Sequence, residues 1–216
     1  MLEINSTKKT WMLLNTLFAV NYTLYIVLHL IRIPIYPLPN FVNILCLISS
    51  YSISLLPHLS SMKEILSQPN IYCITVFFTF PHEALLLPFY LLSIYHLSSF
   101  VLSNKKTFER TSIYPICVSL SAYHVTLGRL ALFTEVLAVP LSFLMIFLRK
   151  SSLVTFTTFI AMVRQQYFNN PSMRSVFGEI RVSLDKWVLS CPRDVQEYYR
   201  RGRDFLVSTH SAKKLN

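Results

Sequence analysis

Glycine and charged residues are scarce in this sequence. Of its 216 residues only 3 are glycine and 14% are charged, against about 25% charged residues in a typical soluble domain. The charges are clustered, so that long segments contain none. Hydrophobic residues make up 53% of the chain, whereas a soluble core of this length needs a far more polar shell. The composition excludes an ordinary soluble domain and indicates a membrane protein.

Cysteine is also scarce and is spread singly along the chain. The four cysteines form no Cys-x-x-Cys pair, and no two histidines stand at metal-ligand spacing; the cysteines are Cys46, Cys73, Cys117 and Cys191. This spacing argues against a disulfide framework and against a zinc site. We therefore expect no metal and no other cofactor.

Familiar catalytic and nucleic-acid-binding motifs are missing from the sequence. His82 and Glu83 do not continue into a His-Glu-x-x-His pattern, and the chain has no glycine-rich phosphate loop and no nucleophile elbow. The 20 basic residues outnumber the 10 acidic ones, but they form no basic block of a nucleic-acid module. Basic residues that flank apolar segments explain the excess, because cytosolic loops favour Lys and Arg. We predict a protein that is not an enzyme and does not bind nucleic acid.

Apolar segments follow one another along most of the chain. Residues 10–31 carry no charge and as a helix reach about 33 Å, enough to cross the hydrocarbon core. A second segment covers residues 40–62. Residues 65–104 and 111–148 each predict a hairpin whose two arms are slightly short of a full span, and residues 151–163 are short enough to lie at the interface. The sequence predicts an all-α, multi-pass integral membrane protein of helical hairpins, followed by cytosolic amphipathic helices.

Basic residues predict the orientation of the chain. We expect a membrane domain over residues 1–163 and a tail over residues 164–216. With both termini in the cytosol, eight basic residues flanking the apolar segments lie on the cytosolic side: Lys8, Lys9, Lys63, Lys105, Lys106, Arg110, Arg149 and Lys150. Only Arg32 and Arg129 then lie on the other side. This asymmetry follows the positive-inside rule and predicts a cytosolic tail.

The most regular apolar stripe of the chain lies in the tail. Ser172 is placed to cap a helix over residues 172–188. Apolar side chains recur there every three or four positions and face away from the charged ones: Met173, Val176, Phe177, Ile180, Leu184, Trp187 and Val188. The helix has three basic and two acidic residues, a net charge of +1, so apolar insertion outweighs electrostatic attraction to a membrane. The stripe either dips into the bilayer or packs against the protein itself.

Glu135 stands in an otherwise apolar segment and is therefore a candidate functional group inside the membrane. Arg129 is the nearest charge, and His124 lies 11 residues earlier on nearly the same helical face. A transporter or channel could use these three groups, but it would require them to converge, which their helical phases do not favour. The alternative is a carboxylate that bonds to another helix or lies at the lumenal end of its own helix.

The segment "RQQYFNNPSMRSVFGEIR" resembles the transmembrane protein 33 family. Fungal members of that family include a pore-membrane protein of the nuclear envelope and a tetra-spanning protein of the endoplasmic reticulum. The matching residues are Arg164, Tyr167, Asn170, Pro171, Arg174, Phe177, Glu179, Ile180 and Arg181. Upstream, Glu135 and Pro140 stand in step with the Glu-bearing apolar segment of the family.

This resemblance implies a non-enzymatic membrane protein of the endoplasmic reticulum and nuclear envelope. It would shape or organise membrane in the tubule network, or act in nuclear pore assembly or stability, with the lipid bilayer, reticulon-type proteins and nucleoporins as partners. The final "KKLN" resembles a dilysine retrieval signal, in which coat proteins would read Lys213 and Lys214. An adaptor that docks a soluble partner through the tail and a lipid-modifying enzyme are the remaining alternatives.

Overall fold

The computed structural model describes residues 6–32, 40–58 and 61–201, and these ranges are helical with no strand. Two short 3-10 helices lie at Leu56–His58 and Glu83–Leu86. The α-helices are α1 Ser6–Leu30, α2 Asn40–Leu55, α3 Met62–Ser67, α4 Pro69–Phe78, α5 Leu87–Ser103, α6 Lys105–Phe108, α7 Ile113–Ser121, α8 His124–Phe147, α9 Leu153–Asn169, α10 Pro171–Leu189 and α11, residues 193–201.

Four helical segments of the described residues are long and apolar enough to cross a membrane. They are α1, α2 with its 3-10 extension (Asn40–His58), α5 with its preceding 3-10 turn (Glu83–Ser103), and α8. The predicted all-α, multi-pass fold class is confirmed.

The predicted hairpins differ from the observed helices in their proportions. Residues 65–104 contain the short helix α4 and the full-length helix α5. Residues 111–148 divide into the 9-residue helix α7 and the 24-residue helix α8, because the turn falls at Ala122–Tyr123 rather than at Arg129. Residues 151–163 are expected to be a separate interfacial segment. From Leu153 they belong to α9, which continues to Asn169 and packs against α4 and α8.

Six helices form a closed ring in which each one packs against two neighbours. The order around the ring is α1, α2, α4, α9, α8, α5 and back to α1. Contacts between aromatic side chains show that neighbouring helices run in opposite directions. Trp11 near the start of α1 packs against Phe100 near the end of α5. Phe143 near the end of α8 packs against Phe156 near the start of α9. We call the end of the ring at which α1 begins the N end.

The ring changes the predicted positions of three basic residues. Because α8 begins beside α5 residues Tyr95 and Ser99, it starts towards the N end and finishes at the opposite end. Arg129 therefore lies towards the N end, where Lys105 and Lys106 also lie. Arg149 and Lys150 lie at the opposite end of the ring, as Arg32 does. The predicted grouping of Arg149 and Lys150 with Lys105, and of Arg129 with Arg32, is wrong. Its error was to take Arg129 as the turn of a hairpin, although it lies inside α8.

Among the described residues, those from Arg174 to Arg201 form a second compact unit, which contains most of α10 and all of α11. The Tyr199 hydroxyl on α11 donates to the Asp185 carboxylate on α10 at 2.7 Å. The Gln196 side chain donates to the backbone carbonyl of Cys191 at 2.9 Å. These bonds hold the two helices together as a hairpin within this unit.

Candidate functional site

A cavity of about 670 Å³ lies inside the helical ring, and all six ring helices contribute to its lining. Small-molecule sites in proteins typically measure about 300–1,000 Å³. The side chains at its deep end are buried: Asn15, Ser50, Cys73, Ser93 and Glu135. Those towards the N end are half-buried or exposed: His124, Arg129, Gln166 and Asn170. The cavity therefore opens at the N end of the ring.

Asn15 joins three helices at the deep end of the cavity. Its amide nitrogen donates to the Ser50 hydroxyl of α2, and its amide oxygen accepts from the Ser93 hydroxyl of α5 at 3.0 Å. Nearer the mouth, the Asn70 side chain of α4 donates to Ser54 of α2 at 2.8 Å. Polar side chains inside a membrane domain find partners on other helices because no bulk water is available to them.

Glu135 is the exception among these buried polar groups. Its side chain has no solvent exposure, and neither carboxyl oxygen has a hydrogen-bond partner among the residues that the structure describes. Buried polar atoms in native proteins are nearly always paired, and leaving a charged one unpaired is expensive. Glu135 also lines the cavity, so its side chain lies next to space that a ligand can occupy.

The α5–α8 side of the cavity is closely packed. The ring of Tyr95 stacks on the ring of His124 with centroids 4.0 Å apart, and the Nε2 atom of His124 lies 2.7 Å from the Ser99 hydroxyl. Gly128 makes the approach possible, because a Cβ atom at this position would lie only 3.3 Å from the Tyr95 ring.

An aromatic cluster closes the cavity at its deep end. Tyr51 lines the cavity and packs edge-on against Phe77 at 5.3 Å and Phe89 at 6.2 Å. Phe89 in turn contacts Phe159 of α9, and all three phenylalanines are fully buried. Side chains from α2, α4, α5 and α9 thus fill the ring beyond Tyr51.

The three polar residues singled out in the sequence line this one cavity: Glu135, Arg129 and His124. Their helical phases predict that they do not converge, and the structure places them in one cavity at different heights along α8. The cavity extends along α8 for about three turns, so residues at different heights and on the flank of the helix share it without touching. Among the described residues no group of three or more His, Cys, Asp or Glu side chains could hold a metal ion.

The residues of the predicted family motif surround the turn between α9 and α10. Arg164 lies over the Phe168 ring, 5.8 Å from its centroid, and Tyr167 is partly exposed. Asn170 ends α9 and accepts from the backbone N–H of Ser172 at 3.0 Å, and Pro171 is the first residue of α10. The capping side chain is therefore Asn170, not Ser172. Arg174, Glu179 and Arg181 are exposed along α10, while Phe177 and Ile180 are half-buried.

The side chains of the apolar stripe in the tail differ in their exposure. Met173, Val176 and Val188 are buried, whereas Leu184 is 44% exposed and Trp187 62% exposed. One part of the stripe thus packs within the protein and another part faces outward. Lys213 and Lys214, the predicted retrieval signal, lie outside the described residues.

A comparison with known protein families matches residues 67–212 to the family described as Transmembrane protein 33/Nucleoporin POM33. The match covers more than half of the chain. The chain belongs to this family. The resemblance predicted from Arg164 to Arg181 is thereby confirmed. The Transmembrane protein 33/POM33 assignment and the four apolar helices indicate a multi-pass membrane protein of the endoplasmic reticulum and nuclear envelope. No curated protein and no solved structure matches the chain.

Sequence reasoning missed most of the polar lining of the cavity in this POM33-family protein. Asn15, Ser50 and Ser93 were not singled out, although the structure brings them together. The available signal was the amide of Asn15 within an uncharged span, since amides in a spanning helix commonly bond to neighbouring helices.

Proposed function

We propose that this protein organises the membrane of the endoplasmic reticulum and nuclear envelope without enzymatic chemistry. In this proposal it supports the tubule network or nuclear pores by resting the exposed side chains of α10 in the cytosolic leaflet. The observation that carries the proposal is the exposure of Leu184 and Trp187, two large apolar side chains on one helix. Exposed apolar groups of this kind are typical of membrane or partner contacts.

The balance of forces on α10 favours insertion over electrostatic attraction. Its net charge of +1 contributes about 1 kcal/mol at an anionic surface. Burial of Leu184, Trp187 and the half-exposed Phe177 and Ile180 contributes several kcal/mol at about 25 cal/mol per Å². We therefore expect attachment of the tail to resist high salt.

The basic residues support a cytosolic N end. Lys8, Lys9, Lys105, Lys106, Arg110 and Arg129 lie towards that end, against Arg32, Arg149 and Lys150 at the other. This distribution agrees with the positive-inside rule. Reticulon-type proteins, nucleoporins and a coat protein that reads Lys213 and Lys214 are the partners that we propose, together with the bilayer itself. The nuclear pore association in the family description supports the nucleoporins.

Tryptophan fluorescence tests the contact of α10 with lipid. The chain has two tryptophans, Trp11 and Trp187, so Trp11→Phe leaves Trp187 as the only reporter. In the full-length protein reconstituted with brominated phospholipids, we expect strong quenching of Trp187 that persists in high salt. Trp187→Phe reports Trp11 as a control. Unquenched fluorescence from Trp187 would contradict the proposal.

A matched pair of variants tests membrane shaping. Leu184→Ala with Trp187→Ala removes the exposed apolar pair, and we expect the full-length protein to lose its enrichment on strongly curved vesicles and tubules. Val182→Ala is the control, because Val182 is 53% exposed but lies on another face of the same helix. Equal enrichment of both variants would count against a role of this stripe in shaping.

A solute path is a second candidate function, favoured by the shared cavity of Glu135, Arg129 and His124. The aromatic cluster beyond Tyr51 opposes it, because it fills the ring at the deep end. Ion or solute flux through proteoliposomes that is lost in Glu135→Gln would establish a path. The closed end of the cavity supports a binding site instead.

A further inference from the structure

We propose that the cavity inside the helical ring binds a phosphoethanolamine-type zwitterion, with its ammonium group at Glu135 and its phosphate towards Arg129. The site lies within the ring and makes no use of the apolar stripe of α10. Ligand binding at this site therefore goes beyond the proposed membrane-organising function and does not depend on that function.

Glu135 gives the first indication of what the cavity binds. Both of its carboxyl oxygens are buried without a hydrogen-bond partner among the described residues, and Glu135 is one of the residues that line a cavity large enough for a small ligand. The other polar side chains at the deep end, Asn15, Ser50 and Ser93, already bond to one another. A ligand that brings N–H donors and a positive charge would satisfy Glu135.

The surroundings of Glu135 favour a primary ammonium over a metal ion. The described residues offer no cluster of metal-ligating side chains, whereas the hydroxyl oxygens of Ser50 and Ser93 line the same deep end and have lone pairs left to accept hydrogen bonds. A primary ammonium has three donors. It can bond to a carboxylate and to hydroxyl oxygens at the same time, which a quaternary ammonium cannot.

The charge at the mouth indicates an anionic second group. Arg129 lines the cavity six residues before Glu135 on α8, about 9 Å along the helix axis. A simple cation would have to pass this guanidinium, whereas a zwitterion that enters with its ammonium first leaves its phosphate beside Arg129. Guanidinium groups are well suited to phosphate. The charges along the cavity, positive at the mouth and acidic at the deep end, are complementary to the phosphate and the ammonium group of phosphoethanolamine.

The headgroup of a membrane phospholipid and free phosphoethanolamine share this chemistry. In a lipid, the ammonium is the far end of the headgroup and would reach the deep end of the cavity, while the glycerol and acyl chains remain outside the mouth. The free compound would need no path for acyl chains. Both sources predict the same dependence on Glu135, and a competition experiment separates them.

Thermal unfolding of the full-length protein in detergent tests the proposal. The probes are phosphatidylethanolamine, phosphatidylcholine, phosphatidylglycerol and free phosphoethanolamine. We expect phosphatidylethanolamine, phosphoethanolamine or both to raise the Tm of the wild type, and the half-saturating concentration to rise by roughly tenfold or more in Glu135→Gln, because a charge-assisted hydrogen bond is lost. Glu83→Gln is the matched control, since Glu83 lies outside the cavity lining and its replacement should leave binding unchanged.

Two further measurements keep the proposal falsifiable. Ligand-free Glu135→Gln should melt no lower than the wild type, because the replaced carboxyl group has no partner to lose. If this variant does not fold, Arg129→Gln at the exposed mouth replaces it, and should weaken phosphoethanolamine but not ethanolamine. Stabilisation by the lipid that the free compound cannot displace identifies the lipid as the source.

Three results would overturn the proposal. They are equal stabilisation by phosphatidylcholine, phosphatidylglycerol and phosphatidylethanolamine, unchanged affinity in both Glu135→Gln and Arg129→Gln, and full stabilisation by sodium or potassium ions alone. The last result would assign the cavity to an inorganic cation.

Discussion

Two helical glycines differ only in the space around them. A Cβ atom at Gly128 of α8 would approach the Tyr95 ring to 3.3 Å, whereas one at Gly178 of α10 would meet nothing within 4 Å. Both lie inside helices, where glycine costs about 1 kcal/mol relative to alanine. Gly178 therefore destabilises its helix without any packing contact that requires glycine. At Gly128 the same destabilisation accompanies the close contact of α5 with α8.

Alanine at the two glycines should separate propensity from packing. We expect Gly178→Ala to raise the free energy of unfolding by about 1 kcal/mol, and Gly128→Ala to raise it by less because the Tyr95 ring must move. Chemical unfolding of the full-length protein in detergent, followed by far-UV circular dichroism, measures both. Equal gains would show that Tyr95 yields without cost.

The cap of α10 is a second test at the scale of one residue. Asn170 accepts from the backbone N–H of Ser172, and removal of a capping side chain typically costs about 1 kcal/mol. We expect Asn170→Ala to lower the free energy of unfolding by about that amount and Ser172→Ala to change it little. The same unfolding measurement serves. A larger loss from Ser172→Ala would contradict the assignment of the cap.

At the scale of helices, polar side chains join the spans of the ring. Besides the Asn15 cluster, Asn21 donates to Asn43 between α1 and α2 at 2.7 Å, and the Tyr22 hydroxyl donates to the backbone carbonyl of Glu83 at 2.9 Å. Lipid chains are as apolar as the side chains that face them, so apolar burial alone does not fix the register of neighbouring helices. The bond of Asn21 to Asn43 fixes which turns of α1 and α2 face each other, and the bond of Tyr22 fixes α1 against the 3-10 turn before α5.

Replacement of Asn15 should weaken the association of three helices. We expect Asn15→Ala to cost about 0.6 kcal/mol and at most about 1.7 kcal/mol, the average and the maximum for hydrogen bonds between helices in a membrane. Thr16→Ala is the control, because the Thr16 hydroxyl donates only to Met12 on its own helix. Unfolding in mixed detergent micelles measures both variants, and equal losses would mean that the bonds of Asn15 to α2 and α5 add nothing.

The sequence predicted the first helices well and the later ones less well, for a physical reason. Long uncharged runs identify α1 and α2 because only a bilayer or a large core can hold them. The sequence predicts that Arg129 ends a span, but it lies on the flank of α8 at the mouth of the cavity. Residues 153–169 of α9 contain threonine, glutamine and arginine, and it is packing against α4 and α8 that places this helix in the ring.

The cavity belongs to the scale of the whole molecule, and for that reason the sequence did not predict it. Asn15 is 35 residues from Ser50 and 78 from Ser93, and only closure of the ring brings them together. Among the buried lining residues, Glu135 is the one that the sequence analysis identifies, because an acidic residue within an apolar segment is a candidate functional group even without a structure.

Cysteine accessibility tests the direction of the ring helices. Lys106 and Lys150 are both exposed and lie near opposite ends of the ring. In a Cys191→Ser background, where the remaining cysteines are buried, we expect an impermeant maleimide added to sealed microsomes to label Lys106→Cys and to spare Lys150→Cys until the membrane is permeabilised. Labelling of both from the same side would contradict the alternating directions.

The order of helices around the ring makes its wall uneven in height. α4 has 10 residues and is flanked by α2 and α9, while α5 stands opposite, between the 25-residue α1 and the 24-residue α8. At 1.5 Å per residue, α4 covers about 15 Å and α1 about 37 Å, against a hydrocarbon thickness of about 30 Å. Lipids beside the short helix α4 must shorten or tilt to match its length. Hydrophobic mismatch therefore favours thin bilayers for this protein, and it deforms the lipids beside α4 more than those beside α1 and α8.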